Sequence, residues 1–227
     1  MVLSLTLEDF QTLLSEGYQY VRTLGQGQYG LVLLATRNER KLALKVTRNI
    51  KSFQSEVLIL TGLGEHPNIV QYHKSWSTKT LHVINLGYIS GRSLLEILKE
   101  NPLSEVRAHF YFCQLISAMT HAHEVTGIAH RDLKAENLMI SSGGSTLYVI
   151  DWGMSTKWSP GVTYSRTCGS PDYASPEIYK KKPCLEPEVD IWAMGVILYA
   201  MVTSNFPRVQ GYLHSTSCFI RDVRFDL

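Results

Sequence analysis

The texture of the chain changes once, and that change limits its fold more than any other feature. Up to residue 86 the apolar residues come in short strand-like runs. YQYVRTL (18–24), YGLVLLAT (29–36) and KLALKVT (41–47) are separated by a Gly-rich turn and then by RNER, which predicts three antiparallel strands. IVQYHKSW (69–76) and TLHVINL (80–86) fit two further strands, and Phe53, Val57 and Leu60 predict a helix over 51–61. Past Gly91 the pattern turns helical. Ser93-Leu94-Leu95-Glu96 reads as a capping box, and Ser104 as the N-cap of a long helix carrying Val106, Phe110, Cys113 and Leu115 or Ile116. Residues 191–202 form a helix apolar nearly all round, which implies burial inside a lobe. Strands first and helices later give an α+β pattern in two lobes. The boundary falls near 86–91, with the first lobe over 18–87, the second over 88–227, and a short amphipathic helix in the extension 1–17. That helix has Leu7, Phe10, Leu13 and Leu14 as its apolar positions.

Composition narrows the function classes. Hydrophobic residues make up 44% and charged residues 19%, which excludes a largely disordered chain or a coiled-coil rod. A net charge of +2 gives no reason to expect a nucleic-acid partner. The longest apolar run is too short to span a bilayer, so no membrane partner is expected. Cys113, Cys168, Cys184 and Cys218 form no C-x-x-C pair and read as reduced thiols of an intracellular protein, in cytoplasm or nucleus. His121 and His123 are two apart and share no helix face, so no metal-binding histidines are read.

Three groups of residues carry chemistry. Leu24-Gly25-Gln26-Gly27-Gln28-Tyr29-Gly30 holds G-x-G-x-x-G, followed by a strand rather than a helix. Taken alone it fits a flexible hairpin turn, a dinucleotide fingerprint, or a loop whose bare N–H groups approach phosphates. Lys45 lies inside the third strand and by itself is an outward-facing strand lysine. Glu56, on the near-core edge of the next helix, wants a cation, and Lys45 is the nearest candidate. The third group decides: His130-Arg131-Asp132-Leu133-Lys134-Ala135-Glu136-Asn137 matches H-R-D-L-x-x-x-N in full, and Asp151-Trp152-Gly153 follows behind a strand. Asn137 and Asp151 at such strand ends offer hard oxygen ligands for Mg²⁺. Asp132 and Lys134, two apart on an extended loop, can face one reacting group.

With these motifs in order, the chain resembles a eukaryotic-type Ser/Thr protein kinase from residue 18 onward. Ser175-Pro176-Glu177 and Asp190-Ile191-Trp192 resemble later family landmarks, and Cys168-Gly169-Ser170-Pro171-Asp172-Tyr173 is similar to the AMP-activated and calmodulin-dependent group. The resemblance implies a two-lobed protein-kinase-like fold, with a small β-rich N-lobe and a larger helical C-lobe. It implies ATP and Mg²⁺ as cofactors and a protein substrate with a Ser or Thr acceptor. The loop from Leu24 through Gly25, Gln26, Gly27, Gln28, Tyr29 and Gly30, with Leu31, covers the ATP phosphates. Val32, Ala43 and Met139 sandwich adenine, and Gly87 to Ile89 form the hinge behind gatekeeper Leu86. Lys45, paired with Glu56, holds the α- and β-phosphates, and Asn137 and Asp151 ligate Mg²⁺. Asp132 accepts the substrate proton, and Lys134 stabilises the γ-phosphoryl charge.

Four departures from the family qualify this. Trp152 replaces the usual Phe. Lys45 and Glu56 are only eleven apart, a short interval for the family. Arg166 stands where the group carries its activating threonine, so activity is expected not to depend on a phosphate there; Thr163, Ser165 and Thr167 are the competing acceptors. The family's last C-lobe helices are absent from the sequence, and with them the arginine that pairs with the acid at Glu177. A marginally stable C-lobe prone to associate is therefore expected, unless the tail after Phe206 folds back. The second and fourth departures favour the alternative, a kinase-fold protein that binds nucleotide or a partner with little turnover.

Overall fold

Alternation along three neighbouring strands creates the two faces of the first sheet. The structure is a computed structural model and describes residues 5–27, 30–163, 169–180, 182–205 and 207. It divides into two units, Met1–Ser90 and Gly91–Leu227.

In the first unit, helix α1 (Leu7–Ser15) precedes strands β1 (Gln19–Gly27), β2 (Gly30–Arg37) and β3 (Arg40–Thr47). Helix α2 (Ile50–Leu63) and strands β4 (Tyr72–Ser77) and β5 (His82–Gly87) follow. The strands form one antiparallel sheet in the order β1-β2-β3-β5-β4. Successive side chains on a strand point to opposite faces. Leu31, Leu33, Leu44, Val46 and Val83 therefore share one face, where they form a core with Tyr18, Leu81 and Leu13 of α1. Val32 stands opposite Lys45, and Ala43 opposite Leu86, on the other face. One period-2 pattern thus separates the packing residues from most of the expected nucleotide residues.

Helix α1 starts in a capping box, in which Thr6 Oγ accepts from the Asp9 amide and Asp9 accepts from the Thr6 amide. Only Leu13 of its four expected apolar positions is buried; Leu7 and Leu14 are exposed and Phe10 is half-buried. The fully buried Asp9 instead anchors the helix, accepting from Thr80 Oγ at 2.7 Å and Arg48 Nη2 at 2.7 Å. Burial alone would raise this carboxyl. Hydrogen bonds from Thr6 and Thr80 and the charge of Arg48 outweigh burial and hold it below its ordinary value.

The second unit contains β6 (Gly91–Ser93), α3 (Leu94–Leu98), α4 (Glu105–Thr120), β7 (Ile128–Ala129), β8 (Leu138–Ser141), β9 (Leu147–Val149), β10 (Thr156–Lys157), α5 (Pro176–Tyr179) and α6 (Glu186–Thr203). Strands β6-β8-β9 form one small sheet and β10-β7 another. Gly91 is required by packing, because a Cβ there would stand 1.9 Å from the Ile140 carbonyl oxygen. The capping box at Ser93 and Glu96 forms, and Ser104 Oγ accepts from the Arg107 amide. The buried face of α4 differs from the expected one. Ala108, Tyr111, Leu115, Ala118 and Met119 are buried, whereas Val106, Phe110, Cys113 and Ile116 are exposed. The alanines make that face shallow enough for close approach of β9 and α6, which pack against α4. Helix α6 is buried along most of its length, as its composition implies, with Ile191 exposed. Glu177 is exposed, so no buried acid lacks a cation there. The tail 208–227 lies outside the described residues.

Candidate active site

In the first unit, the strand ladder runs further than the sequence implies. Gly25 pairs with Val32, Gln26 with Leu31 and Gly27 with Gly30, so the first two glycines belong to β1 and only 28–29 separate the strands. Gln28 and Tyr29 lie outside the described residues. The three glycines are glycine for different reasons. Gly30 has φ +146°, and a Cβ there would lie 2.3 Å from the Val46 carbonyl oxygen, so packing demands it. At Gly25 and Gly27 a Cβ would meet nothing within 4 Å among the described residues, and neither has a positive φ. Neither packing nor backbone conformation requires glycine at those two positions. Bare backbone there suits close approach by a ligand, which is the fit that a phosphate chain requires.

Lys45 is buried, contrary to its reading as an isolated strand lysine, and its Nζ donates to Glu56 Oε1 at 2.7 Å. The eleven-residue interval suffices because α2 begins only three residues after β3. Asn49 caps it, its Oδ1 accepting from the Lys51 and Ser52 amides. The short spacing therefore leaves the pair intact and removes one motive for a catalytically weak site. On the same sheet face, Leu86 and Ala43 are buried and Val32 half-buried. Leu24 is half-buried on β1, Leu31 turns to the opposite, α1-covered face, and Gly87 donates its N–H to the Gln71 carbonyl. Ile89 follows β5 and is half-buried.

In the second unit, the loop from His130 to Asn137 is held from below by α6. Asp190, 1% exposed, accepts from the His130 amide on Oδ2 and the Arg131 amide on Oδ1, both at 2.7 Å. His123 Nε2 lies 2.8 Å from the same Oδ2. These bonds hold Arg131 at φ 69°, a left-handed conformation that costs a non-glycine residue about 1–3 kcal/mol. His130 Nε2 lies 3.1 Å from the Ile150 carbonyl, which can only accept, so Nε2 carries the proton and Nδ1 accepts from the Asp132 amide at 3.3 Å. Trp152 stands where the family has Phe; it is buried with its ring 4.6 Å from the His130 ring.

Above this support Asp132, Lys134 and Ser170 close a ring. Lys134 Nζ donates to Asp132 Oδ2 at 2.6 Å and to Ser170 Oγ at 3.0 Å, and Ser170 Oγ donates to Asp132 Oδ1 at 2.9 Å. Asn137 Nδ2 donates to the Asp132 carbonyl at 2.8 Å. Its Oδ1 accepts no hydrogen bond among the described residues and could meet a cation. Asp151, half-buried at φ 57°, follows Ile150, whose amide donates to the Asn137 carbonyl at 2.9 Å. An amide oxygen and a carboxylate from neighbouring backbone make a hard, two-oxygen donor set that fits Mg²⁺ completed by phosphate and water. Among the described residues no cluster of three or more His, Cys, Asp or Glu competes with it. Met139, half-buried on β8, pairs with Ser93 and Tyr148.

The turn after Gly169 is tied to the same loop. Gly169 has φ +99°, and a Cβ there would stand 3.0 Å from the Arg131 carbonyl. Tyr173 accepts from the Ala135 amide and donates to Glu136 Oε2. Burial, with the nearby Glu136 charge, pushes its hydroxyl well above the ordinary tyrosine value. Ser165, Arg166 and Thr167 lie outside the described residues. Sequence reasoning missed Asp190, His123 and Glu186 as parts of the site. The one available signal was an acid at position 190 opening an otherwise apolar helical run.

Comparison with known proteins agrees with this geometry. The protein kinase domain family matches residues 18–224. The chain is 36% identical over 209 residues to NUAK family SNF1-like kinase 2 of Rattus norvegicus, covering 88% of this chain and 32% of that protein. It is 37% identical over 203 residues to Probable serine/threonine-protein kinase MARK-C of Dictyostelium discoideum, covering 84% and 26%. Serine/threonine-protein kinase SIK1 of Rattus norvegicus is 34% identical over 200 residues, covering 84% and 25%. The chain spans about a third or less of the length of these curated relatives. With the family model matched over nearly the whole chain and these relatives at 34% to 37% identity, the chain belongs to the protein kinase domain family.

Proposed function

We propose that the chain transfers the γ-phosphoryl group of ATP to Ser or Thr hydroxyls of protein substrates. The ring at Asp132 carries this reading: the carboxylate already accepts an aliphatic hydroxyl, that of Ser170, at 2.9 Å. An acceptor Ser or Thr needs that same interaction, and Asp132 would orient the hydroxyl and take its proton. Lys134, within 2.6 Å of Asp132, would hold positive charge beside the equatorial oxygens as negative charge develops there. Asn137 Oδ1 and Asp151 would ligate Mg²⁺, which supplies charge neutralisation when bound with ATP. Lys45, fixed by Glu56, would grip the α- and β-phosphates, and the backbone at Gly25 and Gly27 would lie against the phosphate chain. Val32, Ala43, Leu86 and Met139 would contact adenine, with the backbone of Gly87 and Ile89 bonding its edge.

We read the place of action as intracellular, in cytoplasm or nucleus. The exposed free thiol of Cys113 supports that reading. Among the described residues no helix is long and apolar enough to cross a membrane.

The test is labelled-phosphate transfer from ATP·Mg²⁺ to mixed peptides. Asp132→Asn is expected to abolish transfer and leave ATP affinity unchanged, whereas Asp151→Asn weakens Mg²⁺·ATP binding and transfer together. Label recovered mainly on phosphotyrosine, or an Asp132→Asn protein as active as the parent, would refute the proposal.

A further inference from the structure

Arg131 and Glu186 form an ion pair that the phosphoryl-transfer reading does not use. Arg131 Nε lies 3.2 Å from Glu186 Oε2, with side-chain exposures of 9% and 4%. Glu186 is the first residue of α6, and Asp190 lies one turn further on. The first turn of α6 carries a second acid, Glu188, which is exposed. An exposed acid is enough to meet the positive end of the helix dipole. Burying Glu186 as well requires a cation, and Arg131 meets it. The two carboxylates one turn apart on α6 thus grip one residue twice: Asp190 takes the Arg131 amide, and Glu186 takes its guanidinium. That residue has a left-handed backbone and directly precedes Asp132.

We propose that Glu186 is a positioning residue. It supplies from within the chain the anion that holds Arg131, and through Arg131 it sets the orientation of Asp132. A buried guanidinium already paired with a carboxylate needs no added anion, so the loop is ordered without covalent phosphate on the segment that follows Asp151. This inference deepens the phosphoryl-transfer reading and rests on it for its kinetic consequences. Its structural consequence, order in the loop, is measurable without turnover.

Three measurements test it. Backbone hydrogen exchange over 130–137 in Glu186→Gln should accelerate by ~10-fold or more, while exchange in α2 and β5 stays unchanged. In transfer assays kcat should fall ~10-fold or more with KM for ATP within about twofold, and Glu186→Asp should recover most of the loss; a purely structural lesion would not produce that split and rescue. Wild-type protein exhaustively treated with phosphatase should keep its activity. Exchange over 130–137 within about twofold of the parent in Glu186→Gln would overturn the proposal. So would a ~10-fold loss of wild-type activity on dephosphorylation, a result that holds even where the variant does not fold. A wild-type protein with no transfer at all would overturn the activity reading, and the exchange measurement would then decide the role of Glu186 alone.

Discussion

Removing the Asp190 carboxylate should undo the support of the catalytic loop. In Asp190→Ala the amides of His130 and Arg131 lose their acceptor, and both residues are buried. A buried donor left unsatisfied costs about 1–3 kcal/mol, so the two amides together cost about 2–6 kcal/mol. Against a total stability of about 5–15 kcal/mol this is a large fraction. For a chain of this size each kcal/mol lowers Tm by about 2–4 °C, which gives a drop of roughly 4–24 °C. Asp190→Asn should fall between. Its one oxygen can serve either the Oδ2 position, shared by the His130 amide and His123, or the Oδ1 position at Arg131, and its own N–H₂ then faces a donor at the other. Denaturant unfolding followed by tryptophan fluorescence reports this well, since Trp152 packs on His130. An Asp190→Ala protein within about 1 kcal/mol of the parent would show that these amides find other acceptors and would refute the reasoning.

The remaining outcomes concern one buried acid and one orphaned donor. Asp9 titrates below its ordinary value in the folded chain, so its contribution is fully present above the unfolded value of about 4 and is lost as pH falls through the folded one. Asp9→Asn should therefore lower Tm at pH 7 by several degrees and much less near pH 3; an equal deficit at both would exclude a carboxylate anchor. Trp152 Nε1 is buried without a hydrogen-bond partner among the described residues, so Trp152→Phe removes a liability of about 1–3 kcal/mol while opening a cavity that costs about as much. Its unfolding free energy should stay within about 1 kcal/mol of the parent, and a loss above about 3 kcal/mol would mean that the indole contributes more than its area.

Period-2 alternation and motif spacing made the first sheet and the reacting groups readable from sequence. β2 and β3 alternate around Lys45, and the contiguous HRDLKAEN run places Asp132, Lys134 and Asn137 close enough in sequence to come within hydrogen-bond reach. Helix existence was also legible where a side chain closes a local ring, as at Ser93 and Glu96. The buried face of α4 was not. The sequence pattern selected Val106, Phe110, Cys113 and Leu115 or Ile116, of which only Leu115 is buried, and the face that packs also uses Ala108 and Ala118. Small residues bury little area themselves but set how closely neighbouring elements approach. That quantity depends on the partner's shape and leaves no trace in a single helix's periodicity.

The support of the site was illegible for a related reason. Asp190 is 60 residues from His130 and 67 from His123, and Glu186 is 55 positions beyond Arg131. No local pattern relates such residues; a carboxylate buried on an apolar helix shows only that some donor must meet it. In sequence, the two acids of the first turn of α6 look alike as helix-dipole partners. Burial separates them, since Glu188 faces solvent while Glu186 is committed to a guanidinium. The residues proposed to react therefore reside in one contiguous motif, whereas a distant helix holds the backbone beside them. Substitutions on α6 that release Arg131 should consequently alter turnover through the orientation of Asp132, although none of these α6 side chains is proposed to touch substrate.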